Sequence, residues 1–407
     1  VLKMPPFSYL LCTYLCIVYP ACVAGMTGRC SLFAQHHIHT FDGVIYEFPG
    51  DCSYLLAGDC NHQSFTLLGD FQNGKRTGIT LFLGDVFGLH LSIDGQLSEG
   101  GKRLSLPYAS HSVFAGSELG FFKLWSEEFG FTVTIDNAAN IALTLGKRHS
   151  NRTCGLCGNF NAVPHDEYTA QEGFLTEDSY DFANSWAMKG ADQACRRVSD
   201  PTQSCNSTKG TAILSTCSVL QSSSVFLHCS HLVSPDAFLS LCQAEACHCE
   251  QKNAEDCSCP FLLEYARTCH AHGILLHGWM EEAQCFPKCP IGMQYSECTK
   301  SCSTTCHSLN IQEVCKEECV DGCTCPTGKV LDGNRCVEVS QCSCAHMGRH
   351  FPPGSTISQD CNTCVCRHGS WECTNEECPG EHHINKPFLV VSCPSVQMIR
   401  MLCAHAQ

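Results

Sequence analysis

The stretch that decides the fold of the first half of the chain is FTVTIDNAANIALTLG, residues 131–146. Apolar and small polar side chains alternate through Phe131–Ile135 and again through Ile141–Leu145, which is typical of strands with one buried face. A similar alternation in Leu89–Ile93 ends at an Asp-Gly turn pair. Such signals recur about every ten residues with glycine-rich turns between them, so residues 30–186 are predicted to form an antiparallel β-sandwich.

The cysteine content points to an oxidising compartment. The chain has 37 cysteines in 407 residues, a density typical of disulfide scaffolds made in the secretory pathway. The 40 acidic and 25 basic residues give a formal charge of −15, which argues against the basic footprint of a nucleic-acid-binding protein. We therefore predict a secreted, extracellular protein that passes through the endoplasmic reticulum and Golgi, with no nucleic-acid partner.

Two segments at the ends differ from the rest of the sequence. A mostly apolar run from Phe7 to Val23 closes on small residues, which predicts a signal peptide over residues 1–28. No other stretch approaches the roughly 18–20 apolar residues of a spanning helix, so no membrane span is expected. Residues 382–407 abandon the preceding cysteine spacing and are interpreted as a divergent tail.

The remaining 32 cysteines, 37 less three in the signal peptide and two in the tail, fall into even groups. There are six in residues 30–195, ten in 205–285, ten in 289–342 and six in 344–378. Four modules whose bridges could close internally are therefore expected, although even counts do not prove the connectivity.

The second cysteine group shows helix signals. Ser234 and Pro235 form a predicted N-cap and first helical position before Asp236, and a second helix is predicted over Pro260–Cys269, ending near Gly273 as the C′ residue. Beyond Cys289 the segments between cysteines are too short and polar to hold a core, so disulfides are expected to supply the order, at roughly 2–4 kcal/mol each.

The Cys154-Gly-Leu-Cys157 motif allows two interpretations. A Cys-x-x-Cys pair can exchange between dithiol and disulfide when a thiol pKa is lowered. Because no βαβ pattern of the thioredoxin kind surrounds it, two structural half-cystines are favoured. The several Cys-x-Cys pairs could suggest zinc, but disulfides are the favoured interpretation in an oxidising compartment.

An acidic loop follows this motif, with the oxygen-bearing residues Asn159, Asn161, Asp166 and Glu167. Such donors suit Ca²⁺, which takes six to eight oxygens. The spacing does not fit an EF-hand, so a solvated acidic loop remains an equal alternative on composition alone.

Two further motifs concern modification and catalysis. Asn151 and Asn206 begin Asn-x-Thr sequences that are glycosylation acceptors in secreted proteins. No Gly-x-Ser-x-Gly, His-Glu-x-x-His or phosphate-binding loop occurs. The chain is therefore predicted not to be an enzyme, with disulfide exchange at Cys154 and Cys157 as a disfavoured exception.

Several of these motifs together resemble a known family of modular extracellular proteins. The segments similar to a von Willebrand type D domain are TFDG (40–43), CSYLLAGDC (52–60), GDFQNGKR (69–76), CGLCGNFN (154–161) and YDFANSW (180–186). LLEYARTC (262–269) resembles the eight-cysteine module that follows such domains, and Cys289–Cys342 resembles a trypsin-inhibitor-like module. With the segment through 381, the match is to a first D assembly, of the kind found in a propeptide.

The resemblance implies module boundaries and site residues. The boundaries are 1–28 for the signal peptide, 29–196 for the type D domain, 205–286 for the helical eight-cysteine module, 287–343 for the trypsin-inhibitor-like module, 344–381 for a small cysteine-rich module and 382–407 for the tail. In the family, Ca²⁺ is bound by the Asp of Thr-Phe-Asp-Gly and by the loop after Cys-Gly-Leu-Cys, which adds Asp42 to the four loop residues above. The implied disulfides are Cys30–Cys157, Cys60–Cys154 and Cys52–Cys195.

The resemblance also implies a function. Family D assemblies in a propeptide help an adhesive haemostatic glycoprotein to form disulfide-linked multimers in the acidic Golgi, so the expected partner is another D assembly of the same protein or a second copy of this chain. At pH of about 6.2, about two thirds of the 21 histidines would be charged, adding roughly +14 and nearly cancelling −15. Association is therefore predicted to be favoured by acid.

Two other functions stay open. The trypsin-inhibitor-like module, residues 287–343, has the cysteine count of modules that present a rigid inhibitory loop to a protease. Mucins share the same modules, so a fragment of a gel-forming protein is the other alternative.

Overall fold

A computed structural model describes ten stretches of the chain: residues 27–84, 87–188, 195–199, 210–249, 255–300, 304–306, 308–310, 319–333, 335–346 and 349–376. Residues 1–26 of the predicted signal peptide, the tail and the Asn206 acceptor lie outside these residues, while residues 27 and 28 begin the first strand. The chain divides into two compact units, the first running to residue 288 without 118–120, and the second comprising 118–120 and the residues from 289 onward.

The first part of unit one, which we call the β-sandwich domain (residues 27–199), is built from two antiparallel sheets. Its strands are β1 (Thr27–Phe33), β2 (His37–His39), β3 (Ile45–Glu47), β4 (Ser53–Asp59), β5 (Thr66–Gln72), β6 (Lys75–Leu83), β7 (Phe87–Ser92), β8 (Leu97–Glu99), β9 (Lys102–Leu104), β10 (Tyr108–Ser110), β11 (Val113–Glu118), β12 (Phe121–Ser126), β13 (Phe131–Ile135), β14 (Ile141–Gly146) and β15 (Thr153–Cys154). Within the described residues one sheet has the order β10-β11-β12-β13-β14-β1-β2-β3 and the other β15-β4-β5-β6-β7-β8-β9. The predicted antiparallel, mainly β fold is confirmed.

The period-two pattern of residues 131–146 explains the core. In β13 and β14 every second side chain is buried, and Val133 lies opposite Leu143 in the antiparallel register. Leu81 and Leu89, from the other sheet, belong to the same buried cluster as Val133 and Leu143. Alternation therefore directs one face of each sheet into a shared core.

A short helix, α1 (Ser179–Ser185), follows the sheets and adds Phe182 to that core. Asp178 caps it, because its side chain accepts hydrogen bonds from the backbone N–H groups of Tyr180 and Asp181. The remaining helices form the helical module (residues 210–285): α2 (Gly210–Ser222), α3 (Ser224–Leu227), α4 (Asp236–His248), α5 (Glu255–Ala271) and α6 (Trp279–Ala283).

The helix starts differ from the sequence expectation. Pro235 is the N-cap of α4 rather than its first helical residue, while the Ser234 hydroxyl still accepts from the Asp236 N–H at 3.3 Å. Helix α5 begins at Glu255 instead of Pro260 and carries that proline inside. Disulfides at Cys257 and Cys259 hold the turn next to this proline. They offset the loss of the backbone hydrogen bond that Pro260 cannot donate.

The end of α5 agrees with the predicted C′ residue. The N–H groups of Gly273 and Ile274 donate to the carbonyls of His270 and Cys269, at 2.8 and 2.9 Å. This pair of bonds, with Gly273 at φ +84°, is the Schellman arrangement that closes a helix.

The second unit consists of small antiparallel ribbons. Its strands are β16 (Gln294–Lys300), β17 (Cys319–Thr324), β18 (Lys329–Asp332), β19 (Arg335–Glu338), β20 (Cys344–His346), β21 (Arg349–Phe351), β22 (Thr356–Gln359), β23 (Asn362–Arg367) and β24 (Ser370–Cys373). Val330 is buried among Cys306 and Cys342, so disulfides stand where a larger domain would have an apolar core.

Each bridge that joins two described cysteines closes inside one predicted module. In the helical module these bridges are Cys217–Cys242, Cys229–Cys269, Cys249–Cys257 and Cys259–Cys285. In the later modules they are Cys289–Cys323, Cys306–Cys342, Cys325–Cys336, Cys344–Cys366 and Cys364–Cys373. The Cys-x-Cys residues found here form disulfides, so the zinc interpretation has no support at them. No helix in the described part of the chain is long and apolar enough to cross a membrane.

Candidate functional site

The Cys-Gly-Leu-Cys motif lies at the edge of the second sheet, where β15 pairs with β4. After Cys154 the chain turns inward, and Leu156 and Cys157 donate their backbone N–H groups to Leu55 and Leu56 at 2.9 Å each. The Tyr46 hydroxyl donates to the Leu156 carbonyl at 2.7 Å. Hydrogen bonds to β4 and from Tyr46 in β3 thus fix the backbone of the motif against the core.

Gly155 makes this inward turn sterically feasible. Its φ is +116°, and a Cβ there would lie 2.7 Å from the carbonyl oxygens of both Leu55 and Leu56. Those oxygens belong to the strand backbone and cannot move aside, so only glycine fits.

The two cysteines of the motif belong to different bridges. The structure pairs Cys30 with Cys157, Cys60 with Cys154, and Cys52 with Cys195, which are the pairs that the family resemblance implies. Both sulfurs of the first bridge belong to fully buried residues, whereas Cys60 is exposed. The motif is therefore not an internal Cys154–Cys157 disulfide of the thioredoxin kind.

The five predicted calcium residues come together around the loop that follows. The carboxylate of Asp42 accepts from the backbone N–H groups of Asn161 and Ala162, at 2.9 Å each. The Asn161 side chain donates to Asp166 at 2.8 Å and accepts from the Val163 N–H at 2.7 Å. Asp42 thus holds the loop in place from a distant part of the sequence, and Asn161 already serves the turn with both ends of its amide.

Four buried side-chain oxygens of this loop find no hydrogen-bond partner among the described residues. They are Oδ1 of Asn159, Oδ1 of Asp166 and both carboxylate oxygens of Glu167. Glu167 is only 2% exposed. Buried acceptors are normally satisfied, and such a group of lone pairs is of the kind that a cation could satisfy.

The electrostatics of Glu167 agree with that reading. Burial raises the pKa of its carboxyl to about 9, and the neighbouring carboxylates of Asp42 and Asp166 act in the same direction. Glu167 thus lies among like charges in a desolvated position. A bound divalent cation would offset both effects and lower the pKa of its carboxyl.

The donor set fits a hard cation with mixed oxygen ligands. No group of three or more His, Cys, Asp and Glu side chains in the described ranges is arranged to hold a metal ion by itself. Amide and backbone oxygens would therefore have to complete the shell, which is how Ca²⁺ is commonly bound. Asn159, Asp166 and Glu167 have the unpartnered oxygens. Asp42 and Asn161 already accept hydrogen bonds from the loop backbone, so they could add only the second lone pair of each oxygen.

Sequence reasoning missed two contributors to the site. A Cβ at Gly158, where φ is +84°, would overlap the Glu167 carboxylate, so this glycine makes room for it. Thr40 is 1% exposed, and its hydroxyl lies near the Glu167 carboxyl without the geometry of a hydrogen bond; its polarity acts to lower the pKa of Glu167, against the larger effects above. The motifs Cys-Gly and Thr-Phe-Asp-Gly contain both residues, but only the fold shows what they approach.

Asn151 is the one predicted glycosylation acceptor within the described residues. It is exposed, and its backbone N–H donates to the Phe160 carbonyl at 2.8 Å. The acceptor asparagine is therefore accessible at the start of the turn that leads to Cys154.

Comparison with family models covers most of the described chain. The von Willebrand factor type D domain matches residues 30–174, the C8 domain residues 216–286, the Trypsin Inhibitor like cysteine rich domain residues 289–342, and the Von Willebrand factor-like domain residues 349–376. These segments follow the order of the predicted modules.

Several curated proteins are similar over nearly the whole chain. Von Willebrand factor of Bos taurus is 49% identical over 87% of this chain and 38% of its own length. Otogelin-like protein of Homo sapiens is 31% identical over 89% of this chain, and Mucin-5AC of Homo sapiens 32% identical over 87%, covering 16% and 6% of those proteins. The chain thus spans well under half the length of each of these relatives. With its ordered type D, C8 and trypsin-inhibitor-like domains, this chain belongs to the family of proteins built from von Willebrand type D assemblies.

Proposed function

We propose that this chain is a secreted, calcium-binding assembly module that templates the disulfide-linked multimerisation of an adhesive haemostatic glycoprotein similar to von Willebrand factor. The observation that carries the assignment is 49% identity to that protein over 87% of the chain, with the D assembly modules in order. Identity to the mucin relative is 32%, so a gel-forming protein fragment is the weaker alternative.

The calcium part of the proposal rests on the four unpartnered oxygens. Asn159, Asp166 and Glu167 would hold the ion through these oxygens. Asp42 and Asn161 brace the loop by accepting from its backbone and could each add a remaining lone pair. Bound Ca²⁺ supplies positive charge that stabilises the buried carboxylates. It would thereby fix the loop that directly follows Cys157, and so the position of the two bridges at the motif.

The proposed mode of action is templating rather than turnover. Cys154 and Cys157 are both bridged, and the Cys30–Cys157 bridge is buried beyond the reach of another protein's thiol. A rigid β-sandwich domain can position a partner's cysteines without using its own. The expected partner is another D assembly of the same protein or a second copy of this chain.

The proposal is tested by analytical ultracentrifugation of the purified chain at about pH 6.2 and pH 7.4, with calcium or with chelator. Association at acidic pH with calcium, and weaker association in the other three conditions, is expected. A sedimentation coefficient that is the same in all four conditions would contradict acid-favoured, calcium-dependent assembly.

Turnover has a test of its own. If the chain catalytically reduced a model disulfide, and Cys154→Ala abolished this activity while circular dichroism showed an intact fold, exchange would replace templating. Absence of catalysis in the unaltered chain supports templating.

A further inference from the structure

Strand β1 connects a buried disulfide with the helical module. Cys30 is fully buried and bridged to the equally buried Cys157 of the Cys-Gly-Leu-Cys motif. Its neighbours Arg29 and Ser31 lie on the opposite face of the strand, because successive side chains alternate, and both donate to Glu264 in α5. Three consecutive residues of β1 thus join the motif to the helical module.

The carboxylate of Glu264 is buried at this contact, and its partners come from the β-sandwich domain. Arg29 donates two hydrogen bonds at 2.5 and 3.0 Å, Ser31 donates one at 2.5 Å, and Nδ1 of His39 lies 2.9 Å away. Burial acts to raise the pKa of Glu264, but Arg29 and His39 lower it well below the ordinary value. The carboxylate is therefore charged, and a charge with so little access to water depends on these donors.

Aromatic contacts extend the same interface along β1 and β2. The ring of Phe261 in α5 packs edge-on against Phe33 and His37, at 5.4 and 4.9 Å, and Phe238 in α4 packs edge-on against His39 at 5.5 Å. Each disulfide between described cysteines of unit one lies within either the β-sandwich domain or the helical module. The described contact between the two is thus noncovalent.

The two ends of the buried bridge are held differently. Pairing of β1 with β14 covers residues 27–32, whereas pairing with β2 covers only 31–33, so Cys30 has a strand on one side among the described residues. Cys157 is hydrogen-bonded on both sides: its N–H donates to β4 at 2.9 Å, and its carbonyl accepts from Phe41 at 3.0 Å. Strand β1 is therefore the side of the bridge that can open locally.

We propose that docking of the helical module through Glu264 holds β1 in place and thereby keeps the Cys30–Cys157 bridge inaccessible to thiols. A thiolate breaks a disulfide only when it reaches one of the sulfurs, which here requires β1 to move away from the motif. Loss of the contact would free the strand at both residues that flank Cys30. The inference concerns a bridge inside one chain, so its test does not depend on the assembly proposed above.

The experiment is reduction of the folded full chain by dithiothreitol, with calcium at one fixed concentration. A thiolate of the reductant attacks one sulfur of the bridge, the S–S bond breaks, and the other cysteine leaves as a thiolate. The second thiolate of the reductant displaces the first cysteine, so the reductant becomes a cyclic disulfide and the two cysteines gain two electrons and two protons. Alkylation and mass spectrometry of the peptide that holds Cys30 give the rate.

The unaltered chain supplies its own reference. The Cys60–Cys154 bridge has an exposed residue, Cys60, and should be reduced well before the buried bridge at Cys30. Reduction of both bridges at the same rate would show that burial under β1 gives no protection.

Two variants weaken the contact to different degrees. Glu264→Gln keeps the size of the side chain but removes the charge that the donors hold, so release of the Cys30 thiol should become at least about tenfold faster. Ser31→Ala removes a single donor and leaves the Arg29 pair intact, so its acceleration should be smaller, about fivefold. Glu281→Gln, at an exposed position of α6, should keep the rate of the unaltered chain.

Urea separates opening of β1 from unfolding of the whole unit. A local opening exposes little surface, so the faster release of Cys30 in Glu264→Gln should change little at low urea concentrations. The buried Cys217–Cys242 bridge of the helical module reports larger unfolding and should show a steep dependence on urea. Unchanged rates in both Glu264→Gln and Ser31→Ala, or an increase with the urea dependence of Cys217–Cys242, would overturn the proposal.

Discussion

The carboxylate of Glu264 in α5 accepts two hydrogen bonds from the guanidinium of Arg29 in β1, at 2.5 and 3.0 Å. The two residues are 235 positions apart in the sequence, and they join the helical module to the β-sandwich domain. Because Glu264 is 1% exposed, its charge has almost no water to replace a lost partner. Removing one member of such a pair is expected to lower the free energy of unfolding by more than the intact pair contributes, because the other charge is left buried without its partner.

Arg29→Met should therefore destabilise unit one by about 3 kcal/mol, since it leaves Glu264 ionised and short of two donors. Urea denaturation followed by tryptophan fluorescence measures this loss. The exposed pair Arg197–Asp181, whose side chains are 71% and 56% exposed, supplies the matched control. Arg197→Met should change stability by less than about 0.5 kcal/mol, as exposed ion pairs do. Equal effects of the two substitutions would show that burial of the Glu264 carboxylate is not what matters.

The proposed calcium site predicts a substitution whose effect on stability changes sign when calcium is added. Glu167→Gln keeps the size of the side chain but removes a buried charge that lies beside Asp42 and Asp166. With chelator present the variant should be at least as stable as the unaltered chain. At a calcium concentration about 100-fold above Kd, the unaltered chain should gain about 2.7 kcal/mol that the variant does not.

Thermal unfolding with calcium and with chelator measures both effects. Glu172→Gln, at an exposed position five residues further along, should behave like the unaltered chain in both conditions. Asp42→Asn should also lose most of the gain from calcium. If Glu167→Gln kept the full calcium response, the ligand assignment would be wrong.

Gly155 offers a direct test of the steric argument for the Cys-Gly-Leu-Cys turn. Gly155→Ala places a methyl group 2.7 Å from two strand carbonyls, so the loss should exceed about 3 kcal/mol or prevent secretion. Gly173→Ala also occupies a positive φ, +88°, but has nothing within 4 Å of the added carbon. It should therefore cost only about 1 kcal/mol, the strain of φ alone. Secreted yield and melting temperature of the two variants, compared side by side, measure the difference.

The sequence predicted the sandwich well because its signal is local. In β13 the alternation of Phe131, Val133 and Ile135 is fixed by the two-residue repeat of a strand, and the boundaries agree with the structure. The start of α5 was missed because a proline at position 260 usually marks a first turn. Here two neighbouring disulfides hold a helical turn before it, and pairing of that kind cannot be read from spacing.

Only part of the candidate site could be predicted from the sequence, because some of its residues lie far apart in the chain. Asn159, Asp166 and Glu167 lie in one loop and are visible as a cluster of oxygen donors. Asp42 became a candidate only through the family resemblance, since nothing local connects it with a loop about 120 residues away. Glu264 gave no signal at all: in the run LLEYARTC a glutamate reads as the exposed position of a helix, and its partners lie more than 220 residues away.

A polar cluster on the second sheet yields the last prediction, on pH. The Asp70 carboxylate accepts from Ser53 and Thr80 at 2.5 and 2.7 Å, and Nδ1 of His90 lies 3.3 Å from it. The hydrogen bond to Asp70 raises the pKa of His90, against a smaller effect of burial. The His90 contribution to stability is therefore complete below its ordinary pKa of about 6.5, and it is lost as the pH rises through the higher value in the folded state. Because the His90 side chain is 40% exposed, solvent screening limits the effect to well under about 1 kcal/mol. A double-mutant cycle with His90→Asn and Asp70→Asn, measured by urea denaturation, gives the coupling energy between the two side chains. This coupling should be present at about pH 5.5 and disappear by about pH 8.5. A coupling energy that is constant over this range would show that charge on His90 does not contribute.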